Sequence, residues 1–260
     1  MSTLMKPKRI YVSPDNLTSG IVRFDSGDSV YLRRVLRLKR DDLVRVFDGR
    51  SEYLVRLTDC RSRRIAGEVV HKVDELRDVG IDVTLAFSCV RPGPLEQILR
   101  HGTELGVSRF VPLLSRRSAR RPEERKSRWE SIVVAAAGQS GRITIPAIEV
   151  PVGFDEFVNR PPHGELRLVL SLAAAVMPLQ AILDRHRPRE VTVAIGPEGG
   201  WDPSEEGLAL NRGYIPISLV QGILRTETAA LVATGLVAAW GHWNTNRQEP
   251  AGPSEPMNGA

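Results

Sequence analysis

Cysteine is almost missing from this 260-residue chain, which carries only Cys60 and Cys89. Two lone thiols far apart exclude a disulfide scaffold and a cysteine-based metal site. They fit a reducing cytosol, so a cytoplasmic location is expected. The five histidines, at 71, 101, 163, 186 and 242, show no paired ligand spacing, and no metal is expected. Aromatic residues make up 5% of the chain. Those near the expected basic surface are Tyr11, Tyr31 and Phe47, too few for a platform that stacks RNA bases on rings. Long apolar runs are absent, so nothing is expected to span a bilayer. Lys6, Lys8 and Arg9 have no signal-type apolar core behind them, and no membrane partner is expected. No glycine loop ends in Gly-Lys-Ser/Thr, which argues against a P-loop nucleotidase. Internal repeats are missing too.

What is present suits a globular protein with a substantial core, most simply in two domains: 42% of residues are hydrophobic and 26% charged. The charge is unevenly shared. Residues 1–73 hold 16 Lys/Arg against 9 Asp/Glu, whereas residues 74–260 hold 20 against 22. A second basic concentration lies in 109–142, with 9 basic residues and 3 acids. Such patches attract phosphate backbones, although a solvated basic face is the plain alternative. On this charge argument Arg33, Arg120 and Arg121 are candidates for RNA contact.

The order of elements suggests two architectures in one chain. Residues 9–12, 21–24, 43–47, 52–57 and 65–73 read as short strands separated by turn signals, which points to a small β-barrel over 1–73. Between them, 29–38 reads as a short helix with Val30, Leu32, Val35 and Leu36 available for packing. Residues 74–80 are charged and patternless and read as a linker. From 81 to 242, strands at 81–88, 110–114, 166–172, 191–195 and 214–220 alternate with helices at 94–105, 122–139, 177–184, 203 onward and 226–240. Such alternation makes the fold class α/β, with a largely parallel sheet covered on both faces. The polar stretch from Trp243 to the end reads as a disordered tail.

Two motifs carry the chemistry. The first, Ile195-Gly196-Pro197-Glu198-Gly199-Gly200-Trp201, follows a short β-branched run, and a glycine loop at the carboxyl end of a parallel strand is where α/β proteins bind ligands. A helix start comes next: Asp202 as cap, Pro203 in the first turn and Glu205 completing a capping box. The second motif is Gly222-Ile223-Leu224-Arg225-Thr226-Glu227-Thr228. Its Thr226 is placed to cap a final helix that is apolar on nearly every face. Two loops from neighbouring strands would then converge on one crevice, one offering backbone amides and the other Arg225 beside Glu227. Taken singly, the first motif could be an ordinary turn and the Arg225–Glu227 combination a surface ion pair.

Together with Arg9-Ile10-Tyr11, Arg34-Val35-Leu36-Arg37, Phe47-Asp48-Gly49, Glu104-Leu105-Gly106-Val107 and Gln139-Ser140-Gly141-Arg142, these motifs resemble a known family over about residues 8–240. It is the family of bacterial enzymes that methylate N3 of a uridine in 16S rRNA, within the knotted SPOUT methyltransferase superfamily. The resemblance implies an N-terminal PUA-like β-barrel, a C-terminal SPOUT-type α/β domain with a trefoil knot, S-adenosyl-L-methionine as methyl donor, the 16S rRNA of the small ribosomal subunit as substrate, and a homodimer. It also implies a cofactor pocket made by Leu170, Ile195, Gly196, Pro197, Glu198, Gly199, Gly200, Leu219, Val220, Ile223, Leu224, Arg225 and Thr226. Arg9, Arg34, Arg37, Arg117 and Arg142 match family positions implied to touch RNA. Val220 stands where relatives usually have glycine, so a side chain is expected where backbone would approach the cofactor.

Methyl transfer from a sulfonium demands alignment more than a covalent intermediate. N3 of neutral uridine carries a proton, so the catalytic candidates are Arg225, to stabilise negative charge on a uracil carbonyl, and Glu198 or Glu227, to receive that proton. Loop bracing by Glu198 and helix-dipole stabilisation by Glu227 are the structural alternatives. An RNA-binding relative without activity, or a methyltransferase with a different RNA target, stays open at this point.

Overall fold

The computed structural model describes residues 8–73, 80–118, 126–161, 164–172 and 177–248. Arg120, Arg121, almost all of the expected linker and the end of the chain lie outside the described residues. The described residues fall into two units, one drawn from 1–78 and 130–145, the other from 79–129 and 146–260. Residues 130–145, expected within the second domain, thus group with the first.

Short strands with alternating burial build the first unit. β1 (Arg9–Tyr11), β2 (Leu17–Thr18), β3 (Ile21–Arg23), β4 (Leu43–Phe47), β5 (Glu52–Asp59) and β6 (Ala66–Val73) form a sheet in the order β1-β4-β5-β6-β3-β2. The β1–β4 pair is parallel and the other pairs are antiparallel. Because side chains alternate along a strand, Val44 and Val46 of β4 share a face, as do Val55 and Leu57 of β5. They form one core with Ile10, Val12, Val22, Phe24, Leu32 and Ile65. Gly67 in β6 marks a close approach: a Cβ there would sit 2.6 Å from Val55 Cγ1 and 2.8 Å from the Arg56 carbonyl oxygen.

The helix expected over 29–38 starts earlier and winds differently. Asp25 accepts a hydrogen bond from the Asp28 amide at 2.7 Å and caps α1 (Ser26–Val30). The chain then widens into a π-helical turn over Tyr31–Val35, closed by the Leu36 amide on the Tyr31 carbonyl at 3.0 Å. A wider turn breaks the 3.6-residue period on which the packing expectation rested. Leu32 is fully buried as expected, while Val30 and Val35 are 50% and 63% exposed.

The second unit contains β7 (Asp82–Ser88), α2 (Pro92–Leu105), β8 (Val107–Leu114), the start of α3 (Lys126–Ser140), β9 (Ala147–Ile148), β10 (Val152–Gly153), α4 (Phe154–Asn159), β11 (Leu166–Leu170), β12 (Met177–Pro178), α5 (Leu179–His186), β13 (Glu190–Ile195), α6 (Pro203–Asn211), β14 (Ile215–Ser218) and α7 (Thr226–Gln248). Its strands run β10-β8-β7-β13-β11-β14-β12, with β9 also on β8, and every pairing is parallel. A parallel sheet buried on both faces explains why β13 is apolar almost throughout, with every residue after Glu190 buried. One cluster gathers Ala86, Val111, Val169 and Ala194 with Phe154, Phe157 and Trp201. Helix α7 packs on α2, β7 and β13.

Helix α7 also runs past the point where a tail was expected at Trp243. The Trp240 indole N–H donates to Asp184 at 2.7 Å, and the Asn244 side chain donates to the Trp240 carbonyl at 2.8 Å. Gly241 lies against Ile81, where a Cβ would come within 2.4 Å of Cγ2. Anchored this way, a polar stretch continues as helix to Gln248.

Within the first unit, Arg9 binds the C-terminal end of α3. Its guanidinium donates to Glu52 at 2.9 and 3.1 Å and to the carbonyls of Ala137, Gly138 and Arg142 at 3.1, 3.2 and 2.9 Å. It also lies 4.5 Å from the centre of the Phe47 ring. Glu52 is 2% exposed and has Arg45 Nε 2.6 Å from it as well. Carbonyls at a helix end need donors, and one arginine meets two of them together with the Arg142 carbonyl just beyond the helix.

Removing a buried carboxylate that faces two arginines leaves charge uncompensated, so Glu52→Ala is expected to lower stability by about 3 kcal/mol in denaturant titration. A second expectation concerns pH. Burial, and then Asp25, push the Asp28 carboxyl up to about 6. Its ordinary value is about 3.9, so the folded state holds this proton more tightly and stability falls as pH rises from about 4 to 6. Asp28→Asn should therefore raise the melting temperature at pH 7 and leave it unchanged at pH 4.

Candidate active site

Three neighbouring parallel strands, β13, β11 and β14, end on one side of the second unit, and the loops after them build the site. The chain leaves β13 at Ile195 and turns tightly, with the Gly200 amide on the Pro197 carbonyl at 2.9 Å. Gly200 has φ +69°, the left-handed region that favours glycine. Trp201 then folds under the loop. Its indole N–H donates to the Leu170 carbonyl at the end of β11 at 3.0 Å, and its ring lies 4.5 Å from that of Phe154. A Cβ on Gly196 would sit 3.1 Å from the indole, so the glycine lets the loop lie flat on the ring.

The expected capping box begins α6. Asp202 accepts from the Ser204 amide at 3.0 Å, and Glu205 accepts from the Asp202 amide at 3.1 Å. Hydrogen bonds from Ser204, with Arg116 and Arg117 adding less, hold the Asp202 carboxyl below the usual range. Glu205 is 2% exposed, and its other oxygen accepts from the Arg116 amide at 2.8 Å. The same carboxylate thus holds the turn that presents Arg117. Arg117 itself donates to the Gly199 carbonyl at 3.0 Å and lies 3.7 Å from Asp202.

Thr226 does not cap α7 as the sequence suggested. The Arg225 carbonyl accepts the Ala229 amide at 2.8 Å, so Thr226 already lies inside the helix, and its hydroxyl donates to the Gly196 carbonyl at 3.0 Å. Thr226 is 2% exposed. The two motifs are therefore tied by a partly buried hydrogen bond.

A cleft of about 260 Å3 opens over these loops. Of the residues expected to hold a cofactor, Leu170, Ile195, Gly196, Pro197, Glu198, Gly199, Gly200, Leu219, Val220, Ile223, Leu224 and Thr226 line it. Arg225 does not. It faces a second cleft of about 700 Å3, lined also by Glu198, Glu227, Cys89, Val90, Arg91, Pro94 and Ser118. The clefts share Arg117, Pro197, Glu198, Gly199, Ile223 and Leu224. Val220 is 49% exposed along the first cleft and leaves it open. Gly222 also lines it, and a Cβ there would meet nothing within 4 Å.

In the second cleft, Glu227 Oε2 is buried and has no hydrogen-bond partner among the described residues. Burial pushes the Cys89 thiol up to about 12, so it stays protonated at neutral pH and is no nucleophile. Ser171, Leu172, Glu206, Ser218 and Ala229 line the first cleft without having been singled out from the sequence. Cys89 to Arg91 follow the end of β7, and the rule that ligands sit at the carboxyl ends of parallel strands was the signal that could have found them.

The arginines expected to touch RNA separate into two kinds. Arg33, Arg34, Arg37 and Arg117 are exposed, with Arg33 donating to the Ser62 carbonyl. Arg9 and Arg142 have structural work instead: Arg9 uses every guanidinium N–H within the fold, and Arg142 is 5% exposed and donates to Thr144 at 3.1 Å. Neither offers a free cationic surface. No helix among the described residues is long and apolar enough to cross a membrane.

Comparison with known proteins places this geometry in context. A family model described as an RNA methyltransferase domain matches residues 78–238. The ribosomal RNA small subunit methyltransferase E of Synechocystis sp. is 32% identical over 92% of this chain and 79% of its own length. A crystal structure of the protein of that name from Neisseria gonorrhoeae, bound to S-adenosyl methionine, is similar at a TM-score of 0.81 and 31% identity, covering 90% of this chain and 97% of that one. A methyltransferase from Legionella pneumophila in complex with the cofactor SAM is similar at a TM-score of 0.81 and 26% identity, over 90% and 98% of the two chains.

The hydroxyl bridging the two motifs gives a direct test. Thr226→Val keeps the shape and leaves the Gly196 carbonyl without its donor, which should cost about 1–3 kcal/mol in denaturant titration. Faster amide exchange is expected in the loop over 196–200.

Proposed function

This chain belongs to the RNA methyltransferase family whose model covers residues 78–238, and we propose that it transfers a methyl group from S-adenosylmethionine to N3 of a uridine in the 16S rRNA of the small ribosomal subunit. The observation that carries this reading is the pair of adjoining clefts with a shared wall, one suited to a nucleoside and the other holding an arginine and two carboxylates. The residues fit such a donor. Glycines at 196, 199, 200 and 222 expose main chain to the first cleft, while Leu219, Val220, Ile223 and Leu224 supply apolar surface for a base.

When bound, the donor supplies an electrophilic methyl: the N3–carbon bond forms as the carbon–sulfur bond breaks, and the electron pair leaves with sulfur as a thioether. The chain's part is to align and to manage one proton. Arg225 in the second cleft is placed to stabilise charge on a uracil carbonyl. Glu227, with an unpartnered buried oxygen in the second cleft, is our first candidate to receive the N3 proton, and exposed Glu198 at the shared wall is the second.

The finer architecture belongs to the same proposal. We read residues 1–73 as a PUA-like RNA-holding barrel, 74–80 as a linker and 81–242 as a SPOUT domain with a trefoil knot. The six-stranded sheet around one apolar core and the bond between the 196 and 226 loops support that reading. A cytoplasmic homodimer is part of it, supported by large apolar side chains left exposed, among them Ile223 at 77%, Leu236 at 43% and Trp243 at 63%. Arg33, Arg34, Arg37 and Arg117 are the RNA contacts that their exposure supports.

Purified protein with labelled donor and small-subunit rRNA lacking the mark should yield 3-methyluridine, read by nucleoside mass spectrometry. RNA binding without transfer, or a methylated nucleoside at another position, would overturn the assignment. Glu227→Gln should lower kcat by about 10²–10⁴-fold with donor affinity unchanged, if Glu227 takes the proton.

A further inference from the structure

The walls of the first cleft carry few polar side chains, and most are already engaged. The Thr226 hydroxyl is spent on the Gly196 carbonyl, and Arg117 gives one N–H to the Gly199 carbonyl while its side chain stays exposed. Glu206 differs. It reaches from the first turn of α6 to the chain just beyond β11, where the Ser171 hydroxyl donates to its Oε1. Its other oxygen takes no hydrogen bond from any described residue, yet the side chain lines the cleft and is half-buried.

We propose that Glu206, held by Ser171, accepts the ribose hydroxyls of the bound nucleoside and makes the cleft selective for an intact ribose. This rests on the reading of the cleft as the methyl-donor site. A carboxylate has room for about four acceptor interactions, and Ser171 takes one of them. Its fixed oxygen already receives an O–H donor, the chemistry that a vicinal diol repeats. Carboxylates on ribose hydroxyls are a recurring device in nucleotide sites at strand ends. The other charged parts of the donor have a better-matched place: exposed Arg117 and Glu198, of opposite sign, complement the carboxylate and ammonium of an amino-acid end. The apolar residues 219, 220, 223 and 224 suit the base. The neutral, hydroxyl-bearing centre of the ligand is left for Glu206. Ser171 acts through Glu206 by fixing its rotamer and is a positioning residue.

The test is isothermal titration of the full chain and its variants with S-adenosylhomocysteine, its 2′-deoxy and 3′-deoxy analogues, and its des-amino analogue. Wild type should bind the intact ligand about 10- to 100-fold more tightly than at least one deoxy analogue. Glu206→Ala should weaken the intact ligand by a similar factor and no longer discriminate against that analogue. Glu206→Gln, which keeps its hold on Ser171, should show a smaller loss. Melting curves of each variant verify folding. Wild-type affinity in Glu206→Ala, additive losses from the variant and the missing hydroxyl, or lost discrimination only against the des-amino analogue would each overturn the role of Glu206 while leaving the donor site standing. Failure of wild type to bind S-adenosylhomocysteine at all would overturn both.

Discussion

The hydroxyl of Thr226 and the carbonyl of Gly196 are 30 residues apart in sequence and 3.0 Å apart in space. Without that bond the glycine loop after β13 and the loop before α7 would be two separate turns. With it they form one surface. The Thr226 hydroxyl is buried on its side of the bond, and the loop it holds is already seated on the Trp201 ring. Trp201 is fastened in turn to β11 and to Phe154 of α4. Both clefts therefore inherit their shape from the parallel sheet rather than from loop flexibility.

Much of this was legible in the chain. The end of β13, the tight glycine turn and the Asp202–Glu205 box all follow from local chemistry, because a Gly-Pro break, a capping pair and a proline in the first turn act over only a few residues. Thr226 was harder. A threonine ahead of an apolar run looks like a cap, and only the fold reveals that its hydroxyl is spent across the loop instead. Glu205 follows the same pattern, since its role at the helix start was plain and its grip on the Arg116 amide 89 residues away was not. Glu206 and Ser171 stayed invisible because neither belongs to a motif; they meet only once α6 folds back over β11.

Arginine illustrates the opposite error. Charge counting treats each guanidinium as available to solvent, but a planar group with five donors is also suited to the carbonyls at a helix end. Arg9 is engaged in that way, and Arg142 is buried beside it. The basic excess of the N-terminal stretch is thus an upper bound on the charge that can face a phosphate. Composition likewise misread the end of α7, where polar residues continue a helix anchored through Trp240 and Gly241.

Gly222 borders the first cleft with empty space where a side chain would begin. Most glycines in this chain that matter to the fold are constrained by a neighbour or by a left-handed backbone, so replacing them is punished at the folding step. Gly222 has neither constraint. A methyl group added there would be ignored by folding and noticed only by whatever occupies the cleft, which makes this position a dial for ligand size that natural drift can turn independently of stability.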